Sequence, residues 1–229
     1  MHKVLIIEDE ESIRGFLNIN FKMHNFLVIE AGSGEEGISK ARIEHPDIVI
    51  LDVMLPGIDG FQVCETLRKE LSDIGIIMLT AKGQDIDKIQ GLEMGADDYV
   101  VKPFNPMELI LRAKSLLRRV RDKADQVQSE NLIYGPFVID PYSLKVSKNN
   151  VELSLTPTEF HLLKLFIENP GRAFSRNELL DIVWGNDFVG DHKIVDVNIR
   201  RLRVKIEDKD SDGLFIETVW GTGYRWRKE

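Results

Sequence analysis

Short apolar runs and amphipathic stretches alternate through the first 120 residues. Val4 to Ile7 is a run of the buried-strand kind, and Ile13, Phe16, Leu17 and Phe21 follow at helical spacing. Strands are predicted again over 26–30, 47–52, 74–80 and 98–102. Helices are predicted between and after them, near 35–44, 60–71, 84–94 and 106–120. In the last of these Ile110, Ala113, Leu117 and Val120 form an apolar stripe. Five β-α units in a row predict an α/β doubly wound, five-stranded parallel sheet with both faces covered.

The pattern changes after residue 120. Residues 121–131 (RDKADQVQSEN) are polar, carry no aromatic side chain and read as a linker. Residues 132–155 read as short strands with turns at Asp140-Pro141 and Asn149-Asn150. Helices follow near 157–168, 175–184 and 192–207. Their start signals are Thr156-Pro157 with Glu159, Ser175 with Glu178, and Asp191. The chain closes with two strand-like runs around Gly221-Thr222-Gly223. This order of sheet, three helices and hairpin is that of an α+β winged helix-turn-helix domain. The expected organisation is therefore 1–120, a linker over 121–131, and 132–229.

Composition narrows the class. The 229 residues are 43% hydrophobic and 30% charged, which suits two soluble domains. The net charge of -8 argues against a simple polycation that coats nucleic acid. No stretch reads as a signal peptide or a membrane span, and Cys64 is the single cysteine, so a reducing cytoplasmic location is expected. Cys64 has Phe61 and Leu67 at helical spacing and reads as core. The five histidines, His2, His24, His45, His161 and His192, show no metal-ligand spacing.

In a parallel α/β sheet, ligands bind beyond the carboxyl ends of the strands. Glu8 and Asp9 end the first predicted strand, Asp52 the third, Thr80 the fourth and Lys102 the fifth. Three carboxylates in one place need positive charge, and a hard divalent cation such as Mg²⁺ supplies it. Asp52 is then placed to attack phosphorus and hold the group as an acyl phosphate. Lys102 offers a compact cation and Thr80 a hydroxyl for the phosphoryl oxygens.

The segments LIIEDE, ILDVMLPGIDG, MLTAK and DDYVVKPF resemble the flavodoxin-like receiver domain of bacterial two-component response regulators. The resemblance implies that Asp52 takes phosphate from a sensor histidine kinase. It implies that Glu8, Asp9, Asp52 and the backbone carbonyl of Met54 hold Mg²⁺, and that Tyr99 is the switch aromatic. Autodephosphorylation would then be a side activity, not a separate enzymatic role. Lys88, Asp97, Asp98, Glu108, Arg112 and Arg119 resemble the cross-subunit charge pattern of the OmpR/PhoB subfamily, which implies a phosphorylation-promoted homodimer through the last receiver helices.

From 192 to 205 the chain carries five Lys+Arg against one acid. Ile194, Val195, Ile199, Leu202 and Ile206 form a docking stripe. Lys193, Asn198, Arg200, Arg201, Arg203 and Lys205 are expected mainly on the remaining arc, where Arg and Asn can read base edges and Lys and Arg can meet phosphates. SLTPTEFHLLKLFIENPGRAFSR, VDVNIRRLR and ETVWGTGYRW resemble the output domain of OmpR/PhoB-type regulators. The resemblance implies a recognition helix in the major groove of promoter DNA, two half-sites, and wing contacts from Thr222, Tyr224 and Arg225. Arg176 and Trp184 are candidate phosphate contacts, with Trp184 as readily core, and RNA polymerase is a candidate partner. Trp220 stands where many members have Arg, and Val204 interrupts a commonly basic stretch. Two rival readings stay open from the residues alone. One is a Mg²⁺-dependent phosphotransferase or phosphatase, and the other a phospho-switch whose winged helix binds protein or RNA.

Overall fold

The computed structural model describes residues 1–81, 93–121, 131–185, 188, 191–207 and 215–228; for Ala81 and residues 119–121 only the backbone is described. The chain divides into two compact units, Met1–Leu117 and Arg118–Glu229.

The first unit is a parallel sheet in the order β2-β1-β3-β4-β5. Its strands are β1 (His2–Ile7), β2 (Phe26–Ala31), β3 (Ile48–Asp52), β4 (Gly75–Ala81) and β5 (Asp98–Lys102). The helices are α1 (Glu11–Met23), α2 (Gly34–Glu44), α3 (Gly60–Glu70) and α4 (Pro106–Arg121). The helix expected over 84–94 lies, but for its last two residues, outside the described residues. Side chains alternate across each strand and divide the core into two layers. Leu5, Ile7, Val49, Leu51, Ile76 and Met78 pack with Ile38, Ala41, Val63, Cys64 and Leu67 of α2 and α3. Val4, Ile6, Ile48, Ile50, Ile77 and Leu79 pack with Leu17 and Phe21 of α1 and with Leu109, Ile110, Ala113 and Leu117 of α4. Cys64 is buried, as expected. Phe16, expected in the α1 stripe, is 47% exposed instead. A helix has one inward arc, and Leu17 and Phe21 occupy it.

The second unit opens with an antiparallel sheet of β6 (Leu132–Tyr134), β7 (Phe137–Asp140), β8 (Lys145–Lys148) and β9 (Val151–Leu153). The β8–β9 turn is Asn149-Asn150, both at positive φ (50° and 64°), the conformation that a tight hairpin demands and asparagine tolerates. Next come α5 (Pro157–Glu168), β10 (Ala173–Ser175), and α6 (Arg176–Leu179), which continues as a π-helical turn over Leu180–Trp184. The unit ends with α7 (Lys193–Ile206), β11 (Ile216–Val219) and β12 (Gly223–Trp226). Strand β10 was not foreseen in the sequence. It pairs with β12, which also pairs with β11. Capping boxes start α5 and α6, Thr156 with Glu159 and Ser175 with Glu178, each contributing about 1 kcal/mol. Asp191 accepts the Lys193 amide at 2.9 Å at the start of α7. Phe137, Phe215 and Trp226 pack ring against ring at centroid distances of 5.0–5.6 Å.

Candidate functional site

The order of the first sheet reverses at β1, so the crevice between the ends of β1 and β3 is the topological switch point. Glu8 and Asp9 follow β1 and Asp52 ends β3. One carboxylate oxygen from each of the three lies within 4.8 Å of the others. Glu8 and Asp52 are buried, at 1% and 5% exposure, whereas Asp9 faces solvent. The parallel register sets the chain's loops at this edge, since Asp52 pairs with Leu79 and Ala81 with Lys102. Gly60, the first residue of α3, closes over the end of β3. A Cβ there would lie 2.1 Å from the Asp52 carbonyl, so only glycine lets the helix start so near the pocket.

Lys102 reaches back from β5 and its Nζ donates to Glu8 Oε2 and Asp52 Oδ2, both at 2.8 Å. The Met54 amide donates to Asp52 Oδ1 at 3.3 Å. Arg14, on α1, donates to the carbonyls of Glu8 (2.7 Å) and Asp9 (3.2 Å), fixing the acidic turn without neutralising its carboxylates. The pocket is short of positive charge. Burial, with the Asp52 charge adding to it, outweighs Lys102 and pushes the Glu8 carboxyl up to about 7. Burial works against the Lys102 ammonium too, but its hydrogen bonds to Asp52 and Glu8 prevail and its pKa is raised. A cluster of this kind, with one open carboxylate, fits a hard divalent cation bound with water. Thr80 is buried at the end of β4, opposite Val101 in the register, and Tyr99 is half-buried in β5.

The charges expected on the dimer face fall into two groups. Asp97 is not on an exposed loop surface: it is fully buried, pairs with Arg68 of α3, and accepts the Ile76 amide at 3.0 Å. Arg68 also donates to the Gly95 carbonyl at 2.6 Å, so the turn into β5 is pinned inward. Asp98 faces the other layer, where Arg112 donates to both its oxygens at 3.1 and 3.0 Å. Glu108, one turn earlier, takes the same guanidinium at 2.8 and 3.0 Å. Met107 and Leu111 are exposed beside them. Lys88 and the side chain of Arg119 lie outside the described residues.

The basic helix α7 differs from its expectation more sharply. Asn198 is buried at 0% exposure, its Nδ2 donating to the Ile194 carbonyl at 2.8 Å. It lies between Ile194 and Leu202 on the inward arc, so it is not placed to read bases. Arg201 lies 2.8 Å from Oε1 of the fully buried Glu159, and Lys205 lies 2.6 Å from its Oε2. Thus Glu159, legible in the sequence only as a capping residue, is also the counter-ion of the helix. Arg203 donates to the Ile216 carbonyl at 3.0 and 2.7 Å and to Thr218 Oγ1 at 3.0 Å. Tyr224, 6% exposed, donates to Asp196 Oδ1 at 2.7 Å, and Arg176 meets the same oxygen at 2.7 Å. Arg225 pairs with Glu217 at 2.8 Å. Trp184 is core, at 1% exposure. Lys193 and Arg200 remain exposed on α7, and Thr222 on the hairpin turn.

Residues 4–114 match the response regulator receiver domain family, and residues 150–226 match the family of the C-terminal domain of transcriptional regulatory proteins. The chain is 44% identical over 225 residues to the transcriptional regulatory protein AfsQ1 of Streptomyces coelicolor, covering 98% of each chain. It is 42% identical to PhoP of Bacillus subtilis, an alkaline phosphatase synthesis transcriptional regulatory protein, covering 97% of this chain and 95% of that one. The solved structure of DrrB, a Thermotoga maritima OmpR/PhoB homolog, matches with a TM-score of 0.53 at 30% identity over the full length of both. The chain belongs to the OmpR/PhoB family of response regulators: a receiver joined to a winged-helix output domain, forming a phosphorylation-dependent DNA-binding transcription regulator. Among the described residues no helix is long and apolar enough to cross a membrane.

Proposed function

We propose that Asp52 is the phosphoryl acceptor, with a sensor histidine kinase as donor. The observation that carries this is the convergence of Glu8, Asp9 and Asp52 at the switch point of the sheet, with Lys102 bonded to Glu8 and Asp52. An Asp52 carboxylate oxygen attacks phosphorus, the bond to the donor's imidazole nitrogen breaks, and the imidazole takes up a proton. Glu8, Asp9, Asp52 and the Met54 carbonyl would hold Mg²⁺, which when bound offsets the carboxylate and phosphoryl charge. Lys102 exchanges its contact with Asp52 for one with a phosphoryl oxygen, Thr80 donates its hydroxyl, and Tyr99 moves in behind it. Water attack on phosphorus later returns the carboxylate and inorganic phosphate.

The same reading divides the chain into a receiver over 1–120, a linker over 121–131 and an output domain over 132–229. It makes the active species a cytoplasmic homodimer, formed through the face that carries Asp98, Glu108 and Arg112. The dimer binds two half-sites in promoter DNA, with Lys193 and Arg200 among the contacts, and from there RNA polymerase. The test is selection of duplexes from a random pool at fixed salt, with and without acetyl phosphate and Mg²⁺, for wild type and Asp52→Ala. Enrichment of a repeated motif, tightened by phosphorylation in wild type alone, is expected. Equal phosphorylation of Asp52→Ala on intact mass would remove Asp52 from the role.

A further inference from the structure

Lys193, Asp196 and Arg200 recur at i, i+3 and i+7 and therefore share one face of α7. Lys193 and Arg200 are exposed, and between them the Asp196 side chain is 42% exposed. A carboxylate in the middle of a face that meets a polyanion opposes that meeting. Its partners separate it from a stray surface charge. Asp196 Oδ1 accepts from Arg176 Nε and from the Tyr224 hydroxyl, both at 2.7 Å, and Arg176 also donates to the Tyr224 oxygen at 3.3 Å. This closed triangle joins α6 through Arg176, α7 through Asp196 and β12 through Tyr224.

The tyrosine is a fixed mount for that triangle. It pairs with Phe174 of β10 on one side and Thr218 of β11 on the other. Two guanidinium groups face its ring, Arg176 at 5.0 Å and Arg203 at 5.5 Å from the centroid. Arg203 is itself bonded to the Ile216 carbonyl and the Thr218 hydroxyl of β11. The Tyr224 hydroxyl is thus a short link between the hairpin and the face of α7 that carries Lys193 and Arg200. Arg176 reaches the same face but is committed there to a carboxylate. Its side chain is one-third exposed, so with that carboxylate gone it is one more cation for phosphate.

Building on the reading of the second unit as a sequence-selective duplex binder, we propose that Asp196 is a positioning residue with two separable effects on DNA recognition: it withholds Arg176 from phosphate, and through the Tyr224 hydroxyl it holds α7 in register with the hairpin. The first effect lowers affinity for every duplex alike, because phosphate contacts carry no sequence information. The second is felt only where helix and hairpin must fit one sequence together, and so it sets the difference between the right duplex and the rest.

The experiment uses the full chain treated with acetyl phosphate and Mg²⁺. The probes are the duplex that wild type enriches from a random pool and an alternating inosine–cytosine duplex, each titrated across a range of salt. Asp196→Asn keeps an acceptor for Tyr224 and loses the ion pair. It is expected to bind both duplexes about fivefold more tightly, with a slope of log affinity against log salt steeper by about one. Arg176→Gln added to Asp196→Asn is expected to return that slope to the wild-type value. Tyr224→Phe removes the hydroxyl alone. It is expected to weaken the enriched duplex about fivefold while leaving the inosine–cytosine duplex and the slope unchanged. Asp196→Ala is expected to combine the steeper slope with the loss of discrimination, and adding Tyr224→Phe to it should cost no further discrimination. Circular dichroism and a thermal midpoint above the binding temperature show that each variant is folded, a state in which loss of stability alone does not change the salt slope or favour one duplex over another. The proposal is overturned by a slope in Asp196→Asn that is unchanged or flatter, or by a Tyr224→Phe variant that loses nothing or loses equally on both duplexes; either leaves the DNA-binding reading standing. Wild type that enriches no duplex overturns that reading and the proposal together.

Discussion

The two units handle charge in opposite ways. At the end of the first sheet three carboxylates converge, and among the described residues Lys102 is the one cation bonded to Glu8 and Asp52. In the second unit the expected DNA-facing cations are largely met within the chain. Arg201 and Lys205 share Glu159, Arg203 takes the Ile216 carbonyl, Arg176 and Tyr224 share Asp196, and Arg225 takes Glu217. The pocket is an electrostatic set short of positive charge, which the proposed cation would complete. The basic helix is an almost complete one, and its internal pairs serve to fix α7 against α5 and the hairpin. A count of lysines and arginines therefore overstates how many are available to phosphate.

The largest effect that can break this contrast is at Asp52. Asp52→Ala is expected to abolish phosphoryl uptake from acetyl phosphate, followed by intact mass, while circular dichroism stays unchanged. Next is Glu159→Ala, which removes the buried carboxylate shared by Arg201 and Lys205 and half of a capping box. It is expected to destabilise the second unit by about 3–5 kcal/mol in urea unfolding. A cost below about 1 kcal/mol would mean that the pairs do little to fix the helix. Lys102→Ala follows, at about 1–3 kcal/mol without divalent cation, because Glu8 and Asp52 lose their partner and part of the cost is relieved by protonation of Glu8. Added Mg²⁺ should return most of that stability in thermal melts; no recovery would count against a cation site there. The smallest effect sharpens the second half of the contrast. Lys193→Ala should lower the salt slope of DNA binding by about one, whereas Lys205→Ala should leave it unchanged, since Lys205 is already bound to Glu159 and to the Ser154 carbonyl.

The same contrast explains what could be read from the sequence. The pocket residues were legible because a strand's end is a local event. An apolar run that stops at Glu8, Asp52 or Lys102 places the next polar side chain at the edge of the sheet. The winged-helix order was legible for a similar reason, through the start signals Thr156-Glu159 and Ser175-Glu178. What the sequence did not disclose are pairings between residues far apart in the chain. Nothing near Arg201 points to a carboxylate 42 positions earlier. Asn198 looked like a base reader because polar residues favour the outer arc, yet the inward arc of α7 accommodates it by a bond to Ile194. Asp97 looked like a partner for a second subunit because it belongs to a set of charges that resembles the subfamily's cross-subunit pattern, and only the packing of α3 against the sheet reveals Arg68.

Those adjacent aspartates bear on how such a chain can be recombined. Successive residues at the mouth of β5 grip opposite layers, Asp97 the α3 side through Arg68 and Asp98 the α4 side through Arg112. A crossover with a relative anywhere between residues 69 and 96 would inherit Asp97 from one parent and Arg68 from the other. Insertion of one residue ahead of β5 would present each carboxylate to the wrong layer. The stretch from α3 to α4 is thus a single heritable block, and exchanges that preserve a working receiver are expected to fall outside it.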